Sequence, residues 1–366
     1  MKVPFFPPDM FEKDRALIHE LVYRAGMSSS FILRDNVAAL EERFRRITGA
    51  REAIAVHSGT GAVAVALRAA GIGPGDEVIV QAYCCQPVAS EVIHLGATPI
   101  FVDVDPRTMV MDPACVEDAI TDRTRAILPA HLFASMVDMP AIMEIARRRN
   151  VRVIEDACVQ QGASLGSTPA GRFGHLGTFS FFQMKVMGGC GEGGLILTDD
   201  PELASACRAI RNHGQQARFH YERLGVNSRM DEIMAGFLLH RLDEMDRILA
   251  TRADIAAYYH SRFEHLQDRV VLPLPGRKGR CFYMYTLQTP ERDLLAAHLE
   301  ERGIGTQVYY PRCLPVQTAF RAWARPDDRL EHSLRASREN LALPIYPLLT
   351  AAQADAVADA VVDFFS

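Results

Sequence analysis

A chain of 366 residues with 48% hydrophobic and 23% charged side chains has the balance of an ordinary globular protein, long enough for one large core plus a smaller one. A formal net charge of -5, without a Lys/Arg run or basic residues interleaved with aromatics, argues against nucleic-acid binding. No apolar stretch reaches the ~18–20 residues of a membrane span, and Met1-Lys2-Val3-Pro4 opens no signal peptide. Eight cysteines without a C-x-x-C pair read as reduced thiols, so the expected compartment is the cytoplasm.

From about residue 50, short apolar runs alternate with helical patterns. Ala53-Ile54-Ala55-Val56 predicts a strand, then a glycine-containing turn and a helix from Ala62 to Ala70. The turn Gly73-Pro74-Gly75-Asp76 leads to a strand at Val78-Ile79-Val80, with further strands expected at Pro99–Asp103, Ala126–Pro129, Val151–Ile154 and Leu195–Thr198. Strands apolar on both faces and separated by helices imply an α/β fold with a mostly parallel sheet flanked by helices. Ligands of such sheets bind beyond the carboxyl ends of strands, which singles out the residues after Val56, Val80 and Ile154. Farther on, a long helical pattern from Glu232 to His265 precedes a strand-like Phe282–Gln288, a helix at Glu291–Arg302 and a last helix at Ala351–Phe365. These elements predict a large domain over 1–250, its first ~20 residues an arm or start segment, and a small C-terminal α+β domain over 251–366.

Three constellations carry chemistry. His57-Ser58-Gly59-Thr60-Gly61 lies between strand and helix, where small residues and free helix amides suit a phosphate; taken alone, Ser58 reads equally as a helix cap. Glu155-Asp156 ends a strand, where a carboxylate can pair with a ring N–H; alone, it reads as a structural ion pair. Ser180-Phe181-Phe182-Gln183-Met184-Lys185 precedes the glycine-rich run Gly188 to Gly194, which leads into a strand rather than a helix and so is no dinucleotide fingerprint. Lysine is otherwise found only at 2, 13 and 278 in a chain that prefers arginine. An amine among apolar residues can form a Schiff base, which arginine cannot. A phosphate cradle, a ring-nitrogen carboxylate and an imine-forming lysine are together what pyridoxal 5'-phosphate (PLP) requires.

The order and spacing of these motifs resemble the DegT/StrS family of PLP-dependent sugar aminotransferases, of the fold-type-I architecture, over almost the whole chain. Ser58-Gly59-Thr60 is similar to the family's phosphate turn, Gly71 to Val78 to its signature turn, and Glu155-Asp156-Ala157 to the segment whose Asp contacts the pyridine nitrogen. Arg211-Asn212-His213-Gly214, Gly225 to Glu232 and Leu343-Pro344-Ile345-Tyr346-Pro347 complete the match. The resemblance implies that Lys185 holds PLP and Asp156 its ring nitrogen. It implies that Ser180 binds the phosphate and that Asn227 reaches the phosphate of a neighbouring subunit, hence a homodimer with shared sites. Cys85, a cofactor contact by this resemblance, stands where the family places a Phe or Trp stacked on PLP, so either Tyr83 compensates or Cys85 alone covers that face. Val159 stands where it places Gln or His, leaving Gln160 or Gln161 to substitute. Tyr309 and Pro315 replace residues that are often His. Tyr83, Arg229, Tyr309, Tyr310 and Gln317 are the candidate substrate contacts.

The activity so implied is transfer of an amino group from glutamate or glutamine to a keto sugar, carried on a nucleotide, in amino-sugar or natural-product biosynthesis. Alternatives are a keto-cyclitol or other polyhydroxy ketone as acceptor, a PLP-dependent sugar dehydratase, and a non-catalytic regulator. In related dehydratases a His replaces the lysine, which Lys185 argues against. No metal is expected, because the histidines are scattered without H-x-x-x-H or H-x-x-E-H. His131 and His213 read equally as structural histidines.

Overall fold

The computed structural model describes residues 2–7, 9–326 and 328–366. A seven-stranded sheet forms its centre, built from β1 (Glu52–Val56), β2 (Glu77–Gln81), β3 (Thr98–Val102), β4 (Thr124–Leu128), β5 (Arg152–Asp156), β6 (Leu176–Ser180) and β7 (Gly194–Thr198). Their spatial order is β1-β7-β6-β5-β4-β2-β3. Strands β3, β2, β4, β5 and β6 pair in parallel, while β7 runs against both β6 and β1. The carboxyl ends of β1, β2, β5 and β6 therefore meet at one rim.

Five-residue strands such as Glu-Val-Ile-Val-Gln are buried on both faces, as a sheet covered by helices requires. The covering helices are α1 (Arg15–Ser28), α2 (Asp35–Thr48), α3 (Gly59–Ala69), α4 (Pro87–His94), α5 (Pro113–Ala119), α6 (Met139–Arg149) and α7 (Pro201–Arg211). Helix α3 is almost wholly buried, and its run of Gly, Ala and Val lets it press against β6, β7, α4 and α7. Two expectations are corrected. This helix starts at Gly59, not Ala62, because Ser58 caps it there. Leu176–Ser180, not assigned as a strand from its Gly, Thr and Ser content, is wholly buried between β5 and β7.

Helix α8 (Glu232–Phe263) is capped by Asp231, whose Oδ1 accepts from the Met234 amide at 2.7 Å. Its first residue also serves another helix. The Glu232 carboxylate accepts the amides of Arg34 (2.7 Å), Asn36 (2.7 Å) and Val37 (3.2 Å), the open N-terminus of α2. Beyond α8 lie β8 (Tyr285–Gln288), α9 (Arg292–Glu301), α10 (Glu331–Glu339), β9 (Asn340–Leu343) and α11 (Ala351–Phe365); β8 and β9 form an antiparallel pair. Strand β9 was not foreseen.

Buried apolar side chains gather in two clusters. Leu238, Leu242, Met245 and Ile248 of α8 join the cluster around the large sheet. Ala253, Ala256, Tyr259 and Phe263 join a second one with Tyr285, Leu287, Leu295, Leu341 and Val357. We propose that the large and small domains divide inside α8, near residue 250. Val3 is buried and sewn to the second cluster through Gly303 and Gly305. No helix among the described residues is long and apolar enough to cross a membrane.

Candidate active site

The rim begins with a cup. Ser58 ends the turn after β1, and its Oγ accepts from the Gly61 amide at 3.0 Å, so this hydroxyl acts as the helix cap. The first amides of α3, Gly59 and Thr60, have no intrahelical acceptor and point out of the helix. Ser180, at the end of β6, lies so close that a Cβ on Gly59 would stand 2.5 Å from Ser180 Cβ and 3.2 Å from its Cα. Only glycine admits that approach. Behind the cup, His57 Nδ1 and Ser228 Oγ are 2.7 Å apart, and the His57 amide donates to the Ser228 carbonyl at 3.2 Å. Residues 227–229 are thereby held along β1. Asn227 is exposed, its Oδ1 accepting from Arg229 Nε at 3.0 Å.

Asp156 closes β5 as a buried carboxylate, with Oδ1 accepting the Cys158 amide at 2.9 Å. Its neighbour Glu155 serves the fold, accepting the amides of Gly171 (2.6 Å), Phe173 (2.9 Å) and Gly174 (3.2 Å). His131 is structural too. Its Nδ1 accepts from the Val137 amide at 3.1 Å, so Nε2 carries the proton and donates to Glu155 at 2.9 Å. His213 is exposed, in a left-handed turn (φ +62°).

Lys185 is half-buried, and its Nζ stands 5.0 Å from the centre of the Tyr283 ring. Burial pushes the Tyr283 phenol up to about 12, leaving it a neutral donor beside the amine. Tyr309 is partly buried, its ring edge-on to Tyr310 with centres 6.0 Å apart. Tyr310 holds the uncommon φ of +52°. Tyr283 was missed in the sequence because only folding brings residue 283 beside 185.

The other expected residues separate. Tyr83 is corrected from a substrate contact to a support: it is fully buried, its hydroxyl donates to the Tyr309 carbonyl at 3.0 Å, and its ring packs edge-on to Tyr310. Cys85 is partly buried beside Cys84. Val159 is buried, and its carbonyl faces the Cys281 thiol. Gln160 turns away to the Phe133 carbonyl (3.1 Å), whereas Gln161 reaches the Ser180 carbonyl (2.6 Å). Gln317 folds back on the Arg312 carbonyl at 3.0 Å, and nothing ties it to Lys185. In the cavity that Lys185 also lines, Glu244 clusters with Asp14 and His240, but Lys13, Arg241 and Arg247 already pair with the two carboxylates.

The sequence profile of the DegT/DnrJ/EryC1/StrS aminotransferase family matches residues 13–362. The chain belongs to this family. It is 39% identical over 369 residues to a pleiotropic regulatory protein of Geobacillus stearothermophilus, covering 100% of this chain and 99% of that one. It is 36% identical to the dTDP-3-amino-3,4,6-trideoxy-alpha-D-glucose transaminase of Streptomyces venezuelae, over 98% of this chain and 95% of the other. The crystal structure of ntda from Bacillus subtilis with bound cofactor PMP superposes with a TM-score of 0.92 at 30% identity, covering 99% of this chain and 85% of that one. The chain is thus an aminotransferase-family enzyme, and its family and structural neighbours imply pyridoxal phosphate. The site fits that group on its own atoms. The cup at Gly59 is kept open by the absence of a Cβ, and buried Gln161 Oε1 beside Ser180 has no hydrogen-bond partner among the described residues.

Proposed function

We propose that this enzyme moves an amino group from glutamate or glutamine to a keto sugar, carried on a nucleotide, in amino-sugar biosynthesis. The observation that carries the reading is the convergence, at one rim, of the Lys185 amine, the Asp156 carboxylate and the Gly59–Ser180 cup. PLP, when bound, supplies an aldehyde and an electron-withdrawing ring that loosen a bond at the carbon bearing the amine. Asp156 would hold the proton on the ring nitrogen. Ser180 Oγ and the Gly59 and Thr60 amides would hold the phosphate, with Asn227 of a second subunit completing that grip. Lys185 Nζ is the base that removes the proton from the donor α-carbon, and the acid that returns one to the acceptor carbon. Tyr283 keeps the amine in place, and Arg229, Tyr309 and Tyr310 border the space left for substrate. The nucleotide-linked acceptor is supported by the Streptomyces relative's name. A homodimer in the cytoplasm accords with the exposed Asn227 and eight free thiols.

Absorbance tests the reading. Purified protein with added PLP should show a visible band that glutamate or glutamine converts to a shorter wavelength, after which keto sugars restore it. Lys185→Ala should show no such band and lose roughly 10²–10⁴-fold or more in rate. A wild-type chain that takes up no PLP would refute the reading and favour a non-catalytic regulator; the Geobacillus relative is named a pleiotropic regulatory protein.

A further inference from the structure

The transamination chemistry uses no thiol, yet the rim holds several. Cys84 and Cys85 follow β2 directly, with their Sγ atoms 3.9 Å apart and hydrogen-bonded thiol to thiol. Cys84 is buried (1% exposed) and Cys85 partly open. Cys158, the nearest other thiol along the rim, is already committed, its Sγ turned to the Thr178 carbonyl at 3.8 Å and its amide to Asp156. Cys84 is the thiol that Cys85 touches.

We propose that Cys84 and Cys85 form an oxidisable dithiol at the substrate-facing rim, which a hydroperoxide closes to an intrachain disulfide and a dithiol reductant reopens. The Cys85 sulfur attacks the peroxide O–O bond and takes one oxygen, releasing water or an alcohol. The Cys84 sulfur then displaces that oxygen as water, forming the S–S bond. Two electrons pass from the thiols to the peroxide, and both thiol protons leave in the released molecules. The two positions are chemically unequal in the required sense. Hydrogen bonding from Cys84, helped by the Lys185 charge, outweighs burial and the Asp156 charge and lowers the Cys85 pKa, whereas burial raises that of Cys84. Cys85 is the attacking thiol and Cys84 the resolving one. Neighbouring Cα atoms, about 3.8 Å apart, are closer than the roughly 4.4–6.8 Å of ordinary disulfides, so the bond would be strained and easily reduced. Closure would re-aim the Cys85 side chain at the rim and change activity; that consequence rests on the proposed function, the disulfide does not.

The test treats the full chain, before and after PLP loading, with hydrogen peroxide and maps its peptides by mass spectrometry. Wild type should lose two hydrogens from the peptide holding Cys84 and Cys85 and regain them with dithiothreitol. Cys84→Ala, and Cys84→Ser as a second variant should Ala unfold the core, should stop at a Cys85 sulfenic acid captured by dimedone. Cys158→Ser should still close the pair. A bridge mapped to Cys158, equal dimedone capture in Cys85→Ser, or an unmodified pair at peroxide doses that oxidise the other exposed thiols would overturn the proposal. Because the mass change needs no turnover, a chain that closes the disulfide but never transaminates would sink the functional reading alone.

Discussion

At Gly59 a single methyl group decides whether the phosphate cup forms. An alanine there would push its Cβ into Ser180, and the obstacle includes backbone, which cannot swing aside. Gly59→Ala should cost about 1–3 kcal/mol of stability by urea denaturation, and should weaken PLP binding in a titration of the visible band. A variant with unchanged affinity would show that the phosphate lies elsewhere. Legibility at this scale followed chemistry. Lys185 stood out because lysine is rare in this chain, and Asp156 because it ends a strand. Cys84 and Tyr283 did not stand out, since their meaning comes from what faces them. Tyr83 misled for the same reason: a tyrosine after β2 reads as a site residue until its hydroxyl is found on the Tyr309 carbonyl.

Between elements, the polar joints around α8 hold the N-terminal helices in place. Glu244 on α8 receives Lys13 at 2.6 Å, Arg241 at 2.9 Å and Arg247 at 3.0 Å. Burial alone would raise its pKa, but the hydrogen bonds from Lys13, Arg247 and Arg241 prevail and hold it down to about 2, from an ordinary 4.5. A carboxylate depressed in the folded state stabilises above its unfolded value and loses that contribution as pH falls through its folded one. Glu244→Gln should therefore lower the urea midpoint near pH 7, by less than about 1 kcal/mol because water screens the cluster. The gap to wild type should shrink below pH 4.5 and close near 2. A gap that persists in acid would mean packing, not charge, is responsible. Helix α8 was legible from its long periodic pattern, whereas Glu232 capping α2 was not, because no local rule links residue 232 to residue 34.

For the whole molecule, the unsatisfied surface points to a second copy. Leu224 is 96% exposed, with Phe219 and Tyr221 beside it in sequence, and Tyr23, Met27 and Phe31 are also open around the end of α1. If Asn227 completes the partner's cup, subunits carrying Lys185→Ala and Asn227→Ala should complement each other. Half of randomly mixed dimers would be hybrids with one intact site of two, so activity should return to about a quarter of wild type. No recovery in dimers proven to be mixed would place Asn227 in its own chain's site. Fold class was legible because six strands announced themselves by apolar runs. Leu176–Ser180 and Asn340–Leu343 were not, since their polar residues find partners only inside the finished structure.

The seat of β1 has a consequence for how the protein is made. Among the described sheet strands this one pairs with β7 alone, and Ser58–Gly59 meets Ser180 only once β6 lies between β5 and β7. A chain leaving the ribosome must keep its first sheet strand waiting until residue 198 emerges, a delay on the order of ten seconds at ribosomal speed. Until then there is no pocket for a phosphate, and the cofactor can enter only a sheet whose first and last strands have met. Vitamin uptake would thus certify that topology is complete, and a nascent chain truncated before β7 should capture none.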